Sequence, residues 1–179
     1  MDTLNIIIDE ISSVLSKVDS KQIEEVVAYI SKETRIFIDG EGRSGLMGKG
    51  FAMRLMHLGY TVYSVGETIT PAVLKKDIYV SISGSGESGN VVLNTKGAKG
   101  KGCKIIAITS KKESSIGSLA DILIIVPGTT KGDSGEQRKS VQLLSTLFDQ
   151  SLHIVLDALC LMLSKKDNVS NKEATAKHW

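Results

Sequence analysis

Three hydroxyls and two glycines stand together in Ser83-Gly84-Ser85-Gly86-Glu87-Ser88. The apolar run Ile78-Tyr79-Val80-Ser81-Ile82 precedes them and reads as a buried strand. Val91, Val92 and Leu93 follow in a segment that can begin a helix. A loop in that position offers free backbone N–H groups and the positive end of a helix dipole. Ser83, Ser85 and Ser88 add donors without adding charge, and Gly84 and Gly86 remove the Cβ atoms that would hold an anion off the backbone. The chemistry that fits is capture of a phosphate group. The competing reading is a flexible strand-to-helix turn that happens to be rich in serine.

A second glycine loop, Gly40-Glu41-Gly42-Arg43-Ser44-Gly45, matches G-x-G-x-x-G between a strand and a helix. Glu67 falls about where the ribose-binding acid of a dinucleotide site would lie, so a nucleotide-binding domain competes. Three features oppose it. A chain of 179 residues leaves little room for a separate substrate domain. Arg43 sits inside the loop, where it can clamp an anionic sugar. The Ser83 loop would have no role in the dinucleotide scheme. His57, near a helix end, reads as a structural residue favoured by the C-terminal dipole.

The elements that must position these loops follow from hydrophobic periodicity. Leu4, Ile7, Ile8, Ile11, Leu15 and Val18 recur at helical spacing, and Asp19 or Ser20 can cap a second helix running through Ile30. Strands are expected at 35–39, 61–65, 77–82, 103–108 and 122–126, with helices at 44–57, from the Ser83 loop to about 101, and at 114–120. Alternation of this kind gives a parallel sheet with helices on both faces. Ligands of such sheets bind beyond the carboxyl ends of the strands, where both glycine loops fall. After Pro127, the polar stretch 128–140 reads as a substrate-facing loop or lid. A long helix is expected over 141–163, apolar around so much of its circumference that it implies self-association. By composition, 165–179 is a loose polar tail.

Composition excludes more than it assigns. The net charge is +2 and aromatics make up 4%, which argues against nucleic acid and against a charged membrane surface. Cys103 and Cys160 form no metal-ligand spacing and no disulfide framework, so no metal and a reduced cytoplasmic setting are expected. The acidic, amphipathic start is not a secretory signal, and the apolar run at 141–163 is broken by Gln142, Asp149, Gln150, His153 and Asp157.

The segments Gly-Glu-Gly-Arg-Ser-Gly-Leu-Met (40–47), Phe-Ala-Met-Arg-Leu-Met-His-Leu-Gly (51–59), Val-Gly-Glu-Thr-Ile-Thr-Pro (65–71) and Ser-Gly-Ser-Gly-Glu-Ser (83–88) resemble the 6-phospho-3-hexuloisomerases. So do Glu-Ser-Ser-Ile-Gly-Ser-Leu-Ala-Asp (113–121) and Pro-Gly (127–128). These enzymes belong to the sugar isomerase (SIS) domain superfamily, and the likeness covers nearly the whole chain. It implies an α/β fold: a single SIS domain whose five-stranded parallel sheet is flanked by helices in flavodoxin-like topology. On that frame 1–31 is a helical N-terminal extension, 35–164 the core and 165–179 a tail. It also implies a homotetramer, no cofactor, and interconversion of 3-hexulose 6-phosphate with fructose 6-phosphate in the ribulose monophosphate route of formaldehyde fixation. Ser83, Ser85 and Ser88 would then hold the phosphate, and Gly42, Arg43 and Ser44 would line the sugar. Glu67 could face the sugar hydroxyls across a subunit boundary.

Moving a carbonyl between neighbouring carbons needs one base that takes a proton and returns it through an enediol. The family's Phe-Glu-Gln block is Phe148-Asp149-Gln150 here, which makes Asp149 the expected base, one methylene shorter than the family's glutamate. Leu143-Leu144-Ser145 replaces the family's Pro-Met-Gly, and Ser88 replaces its threonine. His178 falls at the distance of the family's C-terminal histidine, so the tail is expected to reach a neighbouring subunit's site. The departures cluster at the reacting end of the sugar. They leave two alternatives: an isomerase for another sugar phosphate, such as a pentulose 5-phosphate, and a sugar-phosphate sensor without catalysis.

Overall fold

The computed structural model describes residues 2–179, and its centre is a five-stranded, all-parallel sheet. The strands are β1 (Ile36–Gly40), β2 (Val62–Ser64), β3 (Ile78–Ile82), β4 (Lys104–Thr109) and β5 (Ile122–Ile125), in the order β2-β1-β3-β4-β5. Register runs straight across the middle: Ile38 lies beside Val80, and Val80 beside Ile106. The three inner strands are buried on both faces, as the continuous apolar runs of parallel strands require. This is the flavodoxin-like order that the family resemblance implies, on the parallel sheet expected from the strand–helix alternation.

The helices divide unequally between the faces. α1 (Thr3–Leu15), α2 (Ser20–Tyr29), α3 (Gly42–Leu58) and α6 (Thr146–Lys166) cover one face. There Ile36, Ile38, Val80, Ile82, Ile106 and Ile108 meet Val26, Phe51, Leu55, Phe148 and Leu152 in the main core. α4 (Gly89–Gly100) and α5 (Ser115–Leu119) cover the other face, over Tyr79, Ile105 and Ala107. Asp19 caps α2 through Lys21 N at 2.9 Å, as its sequence position suggests. A short α7 (Asn171–Thr175) follows α6, closed by a capping box between Ser170 and Glu173. The polar tail thus contains a turn of helix that its composition hides.

The largest departure from the sequence reading is the start of α6. Apolar spacing predicts a helix from 141, but the helix begins at Thr146 and runs on to Lys166. Leu144 has φ +52°, a left-handed conformation that no continuing α-helix tolerates in a branched residue. Val141, Leu143 and Leu144 are exposed, so their apolarity does not report a helix face. The polar loop therefore extends through 145, with a single 3₁₀ turn at Gly135–Gln137. α6 itself is long and apolar enough to cross a bilayer by composition, and 56% of its most apolar stretch is buried inside this fold.

Gly128 sets where that loop leaves the sheet. A Cβ there would lie 2.6 Å from Phe148 Cα and 2.8 Å from Phe148 N, both backbone atoms that cannot move aside. The loop therefore crosses in direct contact with the first turn of α6. Gly128→Ala should destabilise the protein by about 1–3 kcal/mol through overpacking. Gly97→Ala, in the interior of α4 with open space around its Cβ, should stabilise it by roughly 0.4–1 kcal/mol. Urea denaturation of the two variants measures both; equal midpoints would contradict the packing argument.

Candidate active site

The Ser83 loop leaves the carboxyl end of β3 and delivers the chain to α4. Its geometry is fixed from below. Gly84 O accepts from Ser110 N at 3.0 Å and Ser110 Oγ at 2.7 Å, which ties the loop to the end of β4. Gly86 has φ +72°, and a Cβ there would lie 2.1 Å from Ser114 Oγ, so only glycine fits on both counts. Ser83 is 2% exposed and does not reach the pocket surface. Its Oγ pairs with Ser88 Oγ at 2.9 Å and accepts from Gly86 N at 3.1 Å. Ser83 therefore shapes the cradle, while Ser85 and Ser88 line it. Because Ser88 faces Ser83, it makes no side-chain cap on α4, and the first turn of that helix keeps its N–H groups for a ligand.

One acid sits in this loop and would repel phosphate if it faced inward. Glu87 is turned the other way. It accepts from Ser115 Oγ at 2.6 Å and Ser115 N at 2.7 Å at the start of α5. These bonds hold its carboxyl below the ordinary range.

The second half of the site comes from α3 and α6, whose first turns lie side by side. Ser44 Oγ donates to Asp149 Oδ1 at 2.6 Å, and Arg43 Nη1 donates to Thr146 Oγ1 at 3.2 Å. Asp149 is 3% exposed. Burial pushes its carboxyl above the ordinary value of 3.8, while the Ser44 hydrogen bond and the Arg43 charge pull the other way. A carboxylate raised in this way is a stronger base than a solvated one and can return the proton it takes.

These groups line one cavity of about 300 Å³. Gly42, Arg43, Ser44, Ser85, Ser88 and Asp149, all singled out in the sequence, meet there. Thr130, Lys131 and Thr146, which the sequence reading does not name, complete the wall with Leu144 and Ser145, which it names only as departures from the family. The polar stretch beginning at 128 does point to a substrate-facing loop. Which of its residues turn inward depends on contacts such as Lys131 N to Ser145 Oγ, 3.0 Å, which sequence alone cannot register. Glu41 also borders the cavity, with its carboxylate accepting from Asn90 Nδ2 at 2.6 Å.

Two expected site residues lie elsewhere on this chain. Glu67 pairs with Lys49 at 2.5 Å on the surface, both side chains about half exposed. His178 stacks on His57 with ring centroids 5.2 Å apart. His57 lies at the far end of α3 from Ser44, roughly 20 Å along the helix. Burial, then the nearby Arg54 charge, depresses the His57 imidazole, in keeping with a structural role. Any part for His178 or Glu67 in a site must be in that of a second subunit.

The raised carboxyl links the site to stability. Between the unfolded and folded pKa values of Asp149 the folded chain holds more protons, so stability falls as pH rises through that window. At neutral pH the buried charge therefore opposes folding. Asp149→Asn keeps the acceptor for Ser44 and removes the charge, so it should raise the melting temperature at pH 7. The gain should shrink through about pH 4 and vanish below about pH 3, where the unfolded carboxyl is itself neutral. Thermal melts of both proteins across this range check the sign; a lower melting temperature for the variant at pH 7 would contradict it.

Comparison with known proteins places this geometry. A family model described as the SIS domain matches residues 29–154. A 3-hexulose-6-phosphate isomerase of Bacillus subtilis is 35% identical, with 96% of this chain and 93% of that protein covered. One from Mycobacterium gastri is 36% identical, covering 99% and 88%. A crystal structure from Methanococcus jannaschii, for which 3-hexulose-6-phosphate isomerase function was inferred, superposes with TM-score 0.84 at 32% identity, covering 100% of this chain and 98% of that one.

Proposed function

The chain belongs to the SIS domain family, among the 3-hexulose-6-phosphate isomerases and their relatives, and we propose that it interconverts 3-hexulose 6-phosphate and fructose 6-phosphate. One observation carries the reading. A buried carboxylate, Asp149, shares a 300 Å³ cavity with a glycine–serine cradle at the start of a helix. The cradle suits a phosphate, and the carboxylate suits a proton transfer at the other end of the same ligand.

In this reading Ser85, Ser88 and the first-turn N–H groups of α4 hold the phosphate, with Ser83 holding Ser88 in place. Asp149 removes the proton from C2 of the 3-ketose, giving an enediolate across C2 and C3. The O2 proton passes to O3 while the C2–O2 bond becomes a carbonyl, and Asp149 returns its proton to C3. No electron leaves the sugar, so the reaction calls for no redox cofactor. Arg43 and Lys131 are the cations that border the cavity, and they supply positive charge for the enediolate and the phosphate. Ser44 keeps the carboxylate aimed, which matters because a displacement of ~1 Å can cost roughly a hundredfold in rate.

Self-association belongs to the same proposal. α1 and α3 both pack on α6, and they leave Leu4, Ile8, Leu46, Met53, Ile154 and Leu161 exposed. These side chains fit burial between copies in a homotetramer built as a pair of dimers. In such an assembly His178 would act on a partner's sugar, assisting ring opening.

Purified protein without added cofactor should form fructose 6-phosphate from 3-hexulose 6-phosphate, and Asp149→Asn should lower turnover by about 10²-fold or more. Fructose 6-phosphate should raise the melting temperature where fructose does not. Ser85→Ala should weaken that response by roughly 1.5–3 kcal/mol, the worth of one charge-assisted hydrogen bond. Stabilisation by NAD and none by sugar phosphates would sink the proposal. Sedimentation at micromolar concentration tests the assembly, and a monomer would refute it. Trp179, fully exposed on the single chain, should change its fluorescence on adding fructose 6-phosphate if the tail covers a partner's site. Normal turnover after deleting 176–179, with unchanged emission, would remove His178 from the mechanism.

A further inference from the structure

In the outer wall of the cavity, residues 128–130 are buried and Gly128 packs on Phe148, but 131–145 has little core behind it. A larger groove of about 770 Å³ opens on its back. Thr129 borders that groove while its neighbour Thr130 borders the site. The outer limb of the wall is also unsupported by apolar burial, since Val141, Leu143 and Leu144 are 69–78% exposed. Its position must come from discrete polar bonds.

Those bonds converge on two side chains. Within the wall, Arg138 donates to the carbonyls of Gln142, Leu144 at 3.4 Å and Thr130 at 3.5 Å, which joins the two limbs. From outside, Glu10 on α1 accepts from Ser140 Oγ at 2.7 Å, Val141 N at 2.9 Å and Gln142 Nε2 at 2.9 Å. Among the described residues, Glu10 is the one hydrogen-bond partner of 138–144 that lies outside the wall and the start of α6. Burial pushes the Glu10 carboxyl up, but the bonds from Gln142, Val141 and Ser140 outweigh it and hold the carboxyl below its ordinary range.

We propose that Glu10, through its three hydrogen bonds to residues 140–142, is a positioning residue for the substrate-binding wall. Glu10 fixes Gln142, and Arg138 carries that position to Leu144, which borders the cavity; Arg138 also reaches Thr130, whose N–H and hydroxyl are held by Asp133 and, through it, by Lys111. The first helix, which carries no chemistry of its own, thereby sets the width of the site. Asp149, Arg43 and Ser44 sit on α6 and α3 and do not depend on this path. The inference rests on the isomerase reading for its kinetic arm only.

The test is Glu10→Gln, which keeps the size but replaces one accepting oxygen with a donor. KM for 3-hexulose 6-phosphate should rise about tenfold, the effect of losing a charge-assisted bond, with kcat within about twofold. Amide hydrogen exchange should speed up across 129–145 and stay unchanged in β3 and β4. Arg138→Ala should behave alike, and the double variant should be little worse than either single one, because both act along one path. Sedimentation of Glu10→Gln must match the parent protein, which separates the effect from loss of assembly. Unchanged KM and exchange would overturn the proposal. So would a fall in kcat at constant KM, or a lower melting temperature with wall exchange unaltered. If the parent protein turns over no sugar phosphate, the isomerase reading fails and exchange alone decides: faster exchange confined to the wall upholds the latch, unchanged exchange refutes it.

Discussion

The hydrogen bond from Ser44 to Asp149 joins residues 105 apart in sequence, at the point where α3 and α6 both begin. It exists because the two helices run side by side with their first turns at the carboxyl edge of the sheet. α4 begins at the same edge, so three positive helix ends face one cavity. That field favours an anionic ligand and opposes the loss of charge from Asp149. Burial has the opposite effect on the carboxylate, and it outweighs the Ser44 hydrogen bond and the Arg43 charge. The balance leaves a carboxylate near the Ser83 loop without a counter-ion locked onto it, as the proposed role of a base requires. A salt bridge of the Arg35–Asp77 kind, found at the other end of the sheet, would have held the carboxylate too firmly to take a proton.

How much of this was legible in the sequence depended on how local its cause was. The five strands could be read because each is a short apolar run between breakers, whereas the order β2-β1-β3-β4-β5 was implied only by the family resemblance. Gly42, Arg43, Ser44, Ser85 and Ser88 could be placed at the site because they sit at strand ends, where this topology puts ligands. The start of α6 was misread because Val141, Leu143 and Leu144 continue its apolar pattern. What stops the helix is the left-handed Leu144, in a loop held by Arg138 and Glu10. Those contacts lie outside any local window. Ser83 and Ser85 look alike in sequence, and only the turn after β3 separates them: Ser83 Oγ is taken up by Gly86 N and Ser88 Oγ under the loop, while Ser85 lines the cavity.

The wall residues show the same limit more sharply. Lys131 and Ser145 face each other only because Gly128 lets the chain cross against Phe148 and the loop folds back on itself. A polar, glycine-rich stretch announces a loop of this type but not its inward side. Glu67 illustrates the converse. Its position three residues beyond β2 suggested ligand contact, yet on this chain it is tied to Lys49 in solvent. A surface ion pair of this kind is worth little, so it does not hold Glu67 away from a neighbouring subunit.

The two halves of the cavity are braced from opposite faces of the sheet. The Ser83 loop is tied to β4 and, through Glu87 and Ser114, to α5 on the thinly covered face. Asp149, Ser44 and the wall are tied to α3, α6 and α1 on the thickly covered one. Substitutions that reshape one half need not disturb the supports of the other. Such a frame can exchange the sugar it accepts during evolution while keeping its handle on the phosphate. On the isomerase reading, that modularity fits the departures from the family resemblance, which collect around 143–149 and leave most of the Ser83 loop intact.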